Sequence, residues 1–99
     1  MSAAAEHVRT VRLLASLRSF AGTKAITLTT GPEATVRDLF EALRREHPAL
    51  AARVLTDAGQ LQPGVQMVVN GRHIDFLDGL NTVVASNADV VLIPPTAGG

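Results

Sequence analysis

The chain has 99 residues and a mass of 10.4 kDa, a length that holds one domain and one modest core. Nine basic residues balance nine acidic ones and cysteine is absent. That excludes the phosphate-neutralising surface of a nucleic-acid or anionic-membrane binder, and with it disulfides, thiolate metal sites and cysteine nucleophiles.

No apolar run approaches the roughly 20 residues of a membrane helix. Residues 1–7 lack the basic start and apolar stretch of a secretory signal and read as a mobile N-terminal tail. The expected setting is cytoplasmic. From Val8 to Leu14 apolar and polar residues alternate with one slip of phase, which predicts a strand with an irregularity near Thr10. Ala15–Ala21 places Leu14, Leu17, Phe20 and Ala21 at helical spacing, and Gly22 suits the stop. Ala25–Thr30 sets Ile26 and Leu28 against threonines, the period-two pattern of a strand. After the loop Gly31–Ala34, Thr35 and Asp38 form a capping-box pattern with Asp in place of Glu. Val36, Leu39, Phe40 and Leu43 then recur at the spacing of one buried helix face, and His47-Pro48 ends that helix. Pro48 opens a further short helix within Ala49–Thr56.

Turns follow at Asp57–Gln60 and Pro63-Gly64. Val65–Val69 reads as a strand, Asn70-Gly71 as a hairpin turn, and Arg72-His73-Ile74 as the short returning strand. Asp75–Thr82 is a loop around Asp78-Gly79, with Phe76, Leu77 and Leu80 expected to fold inward as core, a hydrophobic docking patch being the alternative. Asp89–Ile93 carries the run Val90-Val91-Leu92-Ile93, the pattern of a central strand, and Pro94-Pro95 stops it. The predicted fold class is α+β: one main helix packed on one face of a mixed four- or five-stranded sheet, with the first and last strands near its centre.

Catalytic chemistry is sparse. Ser16, Ser19 and Ser86 have no neighbouring base motif. His7, His47 and His73 are too scattered for a metal site, and Asp75 and Asp78 offer too few oxygens for calcium. Arg9, Arg12 and Arg18 are candidates for guiding an acidic partner, with a solvated strand face as the alternative. Lys24 is the only lysine.

The informative feature is the end of the sequence, Thr96-Ala97-Gly98-Gly99 after the proline pair. Four residues span at most ~13–14 Å, enough to enter a narrow tunnel in another protein. Gly98 and Gly99 have no Cβ, so a partner can enclose their backbone closely. A terminal carboxylate, with an ordinary pKa of about 3.3–3.7, is ionised at neutral pH and competent to attack the α-phosphate of ATP.

The strand, proline pair and diglycine ending of Val90–Gly99 resemble the MoaD/ThiS family of sulfur carriers, and the resemblance extends from Val8 to Gly99. Val11–Gly22, with its helix ending in Ala-Gly, and Val69-Asn70-Gly71-Arg72 carry the rest of it. The resemblance implies a ubiquitin-like β-grasp domain over 8–95 and a flexible reactive tail over 96–99. It implies a carrier rather than an enzyme, with no bound cofactor. A MoeB-like adenylyltransferase would use ATP and Mg to adenylate Gly99, and sulfur from a persulfide donor would displace AMP to leave a thiocarboxylate. Pro94, Pro95, Thr96, Ala97 and Gly98 would thread into the partner. The proline pair favours the molybdopterin branch, with the molybdopterin synthase large subunit as sulfur acceptor. Carriers for cysteine or thiamine synthesis, and ubiquitin-like protein modifiers, are the alternatives. The stretch Pro48–Gly64 is longer than compact members of the family require and is similar to the cysteine-synthesis carrier of actinobacteria.

Overall fold

The computed structural model describes residues 7–95. Its first strand, β1 (His7–Leu13), alternates without interruption: Arg9, Val11 and Leu13 face inward while Val8, Thr10 and Arg12 face solvent. The expected irregularity near Thr10 is therefore not a bulge. Pairing with β2 (Ala25–Thr30) is continuous and antiparallel from His7↔Thr30 to Arg12↔Ala25. The phase slip arises because the inward position holds an arginine, 2% exposed, and the outward one a valine, 63% exposed. His7, assigned by its composition to the tail, is the first residue of the strand.

Helix α1 (Ala15–Ala21) ends on Gly22 at φ 75, the left-handed stop that glycine adopts without a Cβ penalty. Phe20 is half exposed on this helix, with the Arg53 guanidinium 3.9 Å over its ring. Helix α2 (Val36–Glu46) begins with the expected box. The Asp38 amide donates to Thr35 Oγ1 at 3.3 Å, and the Thr35 amide donates to Asp38 Oδ2 at 2.9 Å. Its apolar face, Val36, Leu39, Phe40, Ala42 and Leu43, is buried. Helix α3 (Pro48–Val54) follows at once, with Pro48 in its first turn and Leu50, Ala51 and Val54 inward.

Two short segments outside the expected set, β3 (Ala34–Thr35) and β6 (Val83–Val84), pair as a small antiparallel sheet at the start of α2. Strand β4 (Gln66–Val69) turns through Asn70 (φ 51) and Gly71 (φ 85) into β5 (Arg72–His73). Two positive-φ residues in succession are what the tight hairpin turn demands. Ile74 leaves the ladder for a 3-10 turn and is buried there. Phe76 in the same turn is 78% exposed, so it is not core, whereas Leu77 and Leu80 pack partly buried against the core. The final strand, β7 (Val90–Ile93), lies parallel to β1 and antiparallel to β4.

The main sheet is five-stranded and mixed, in the order β2-β1-β7-β4-β5. The apolar run of β7 sits in its middle, as its composition requires. The inward residues Val11, Leu13, Leu28, Met67, Val90 and Leu92 form one cluster with the buried face of α2.

Candidate functional site

The central strand leads into the proline pair. Ile93 pairs with Gln66, Pro94 is buried, and Pro95 is exposed. Of the proposed threading segment, therefore, Pro94 belongs to the domain and Pro95 is at its surface. Thr96, Ala97, Gly98 and Gly99 lie outside the described residues, as do residues 1–6 of the N-terminal tail.

Beside Pro95 stands Gly64, a residue that its sequence context marks only as part of a turn. The Val65 amide donates to the Gln62 carbonyl at 3.0 Å, and Gly64 has φ +84. This is the third position of a type II turn that begins at Gln62 and has Pro63 second, where a positive φ is required. A Cβ on Gly64 would lie 3.0 Å from Pro95 Cβ and 3.1 Å from its Cγ. The two residues are in tight contact because the register of β4 against β7 places the turn that opens β4 beside the residues that leave β7.

The segment that carries Gly64 is firmly held. Leu55 and Leu61 bridge, the Gln62 amide donates to the Val54 carbonyl at 2.8 Å, and Gln62 Nε2 donates to the Leu55 carbonyl at 3.0 Å. The Thr56 amide closes the intervening loop on the Gln60 carbonyl at 2.7 Å. The length between Pro48 and Gly64 is thus folded structure at the root of the tail.

The other candidate residues stay apart. His7 opens β1, His47 caps α2 and His73 lies on β5, and no group of three or more His, Asp or Glu among the described residues is placed to hold a metal. The amide of Asp78 donates to Thr82 Oγ1 at 3.0 Å, an ordinary loop closure. Among the arginines proposed to guide a partner, Arg9 is buried and unavailable. Arg18 donates to the Leu13 carbonyl at 3.2 Å. Arg12 forks onto Asp89, with Nε–Oδ1 3.0 Å and Nη2–Oδ2 2.9 Å, and this hydrogen-bonded carboxylate raises its pKa above the ordinary value. That pair ties β1 to the residue before β7 at the surface. No helix among the described residues is long and apolar enough to cross a membrane.

Known proteins share this fold. The ThiS family model matches residues 11–99. Small archaeal modifier protein 3 of Haloferax volcanii is 36% identical over 89 residues, covering 90% of this chain and 96% of the relative. The crystal structure of SAMP1 from the same organism superposes with a TM-score of 0.78 at 32% identity, covering 93% of this chain and 99% of that one. A chain of the Amycolatopsis orientalis BexX/CysO complex gives a TM-score of 0.74 at 26% identity, covering 91% and 98%. By the extent of these matches the chain belongs to the ThiS family of ubiquitin-like β-grasp proteins, which are small sulfur carriers and protein modifiers rather than catalysts.

Proposed function

We propose that this protein is a sulfur carrier whose Gly99 carboxylate is activated and then converted to a thiocarboxylate. The observation that carries this reading is that the family match runs through Gly99 and so includes the diglycine beyond the central strand. A carboxylate oxygen of Gly99 attacks the α-phosphorus of ATP on a MoeB-like adenylyltransferase. The α–β phosphoanhydride breaks and pyrophosphate leaves. Hydrosulfide then adds to the acyl carbon and AMP departs, leaving the thiocarboxylate; where the sulfur arrives as a persulfide, the acyl disulfide first formed is cleaved by a second thiol, which leaves as a disulfide with the donor. The carrier contributes a rigid domain to be gripped and an ionised terminus to be charged; the activating enzyme supplies ATP, Mg and orientation. Pro95, Thr96, Ala97 and Gly98 form the entering segment in this reading, and Gly98 and Gly99 let a channel close on the backbone. The terminal sulfur goes to a synthase. The Pro94-Pro95 pair favours the molybdopterin synthase large subunit, and pull-down of that subunit by the thiocarboxylated chain tests the assignment. Retention by a cysteine or thiazole synthase instead would overturn it.

A second reading has its own support in the name of the 36%-identical relative, a small modifier protein. The same acyl-adenylate then passes to a lysine amine, forming an isopeptide with loss of AMP. The experiment that separates the readings uses cells expressing the intact chain and a version lacking Gly98-Gly99. A carrier yields free protein ending in a thiocarboxylate. A modifier yields conjugates of higher mass with the chain's C-terminus on target lysines. Neither product forms from the truncated chain.

A further inference from the structure

Resting on the carrier reading, we propose that Gly64 is a positioning residue for the reactive tail. By packing without a side chain against Pro95, it sets the direction in which the chain leaves the domain.

Three observations meet here. Pro94 is buried, so the backbone is fixed up to the point where the tail departs. The ring of Pro95 then rests on Gly64 so closely that even a methyl group would come within 3.0 Å of it. The turn that holds Gly64 is anchored through Gln62 to Val54 and Leu55, at the end of α3, and so has little room to retreat. A side chain at this position must displace the proline ring. A shifted ring turns the backbone at Pro95, the last described residue before the tail, while the docking surface of the domain stays as it was. The attacking carboxylate has to meet the α-phosphorus in line, and misplacement by about 1 Å costs up to 100-fold in such reactions.

Gly59 provides a matched control. It has the same φ, +84, in the same connection, but a Cβ there meets nothing within 4 Å. Gly64→Ala and Gly59→Ala carry the same backbone strain, and only the first reaches the tail. The intact protein and both variants are compared in adenylate formation, read by pyrophosphate exchange with the adenylyltransferase. Gly64→Ala is expected to lower kcat about 10-fold or more with KM little changed, and Gly59→Ala to leave both unaltered. Pro95→Ala, which removes the ring from the other side of the contact, is expected to lower kcat as well. In carbon and amide NMR spectra, Gly64→Ala is expected to shift Pro95 and Thr96, and Gly59→Ala is not.

Equal kinetics for the two glycine variants, or full activity in Pro95→Ala, would overturn the proposal. Unshifted Pro95 and Thr96 resonances in Gly64→Ala would overturn it whatever the kinetics. Failure of the wild-type chain to be adenylated at all counts against the carrier reading instead, and the NMR comparison then decides the role of Gly64 alone.

Discussion

A buried guanidinium has to be solvated by the protein, and among the described residues Arg9 is solvated by neutral oxygens. It donates to Thr30 Oγ1, to the Gly31 carbonyl at 3.1 Å, to the Pro32 carbonyl at 3.3 Å and to the Val84 carbonyl at 2.9 Å; its Nε has no partner among the described residues. One side chain thus joins β1, the loop after β2 and the small sheet. Arg9→Met leaves these acceptors unpaired and is expected to destabilise by about 2–4 kcal/mol in urea unfolding, since each hydrogen bond to a charged group is worth about 1.5–3 kcal/mol. Arg9→Lys is expected to recover only part of this loss, because a compact ammonium does not span a forked set of acceptors. Phe76 is the opposite case. With its ring largely in solvent and edge-on to His73 at 6.1 Å between centroids, Phe76→Ser is expected to change stability by no more than about 0.5 kcal/mol. A loss of several kcal/mol would place this ring in the core after all.

Among the elements, the end of α2 has a task beyond its buried face. Strand β2 is an edge of the main sheet, and its outer groups are a template for unwanted pairing. Arg45 Nη2 donates to the Thr29 carbonyl at 2.9 Å, the Thr29 amide donates to Glu46 Oε1 at 3.0 Å, and His47 Nε2 donates to the Thr27 carbonyl at 2.9 Å. Burial acts to raise the pKa of Glu46, but the hydrogen bond from Thr29 and the hydrogen bond and charge of Arg45 together bring it below its ordinary value. A lowered folded-state pKa means that the carboxylate stabilises the fold above the ordinary carboxylate range. That stabilisation is lost as pH falls through the lowered value. Glu46→Gln is therefore expected to reduce stability at neutral pH and to converge on the wild type at a pH well below about 4.3. Urea midpoints of both proteins across that range check it; a constant gap at every pH contradicts it. At the other end of the helix, Thr35→Ala removes the cap and is expected to cost about 1 kcal/mol.

At the scale of the whole molecule, what was legible in the sequence was whatever rests on local physics. Val36–Leu43 had the period of a buried helix face, Asn70-Gly71 the turn chemistry of a hairpin, and Val90–Ile93 the apolar run of a central strand. Each stands where those patterns placed it. What depends on distant partners was hidden. Strands β3 and β6 have two residues each and no period to detect. Arg9 is an inward residue only because the Thr30 hydroxyl and the carbonyls of Gly31, Pro32 and Val84 converge on it. At the site, the diglycine and proline pair were visible as a motif, but the contact of Gly64 with Pro95 was not. Pro63-Gly64 signals a turn, and only the register between β4 and β7 places that turn against Pro95. The resulting arrangement is a domain whose central strand points its own end outward.

The most direct test is the intact mass of the chain after incubation with a MoeB-like adenylyltransferase, ATP, Mg and a sulfide source. Replacement of one oxygen by sulfur, located to Gly99 by fragmentation and abolished by deleting Gly98-Gly99, is the expected result. An unchanged mass with an enzyme that charges a known carrier in the same tube, or sulfur located anywhere other than Gly99, would contradict the role assigned to this terminus.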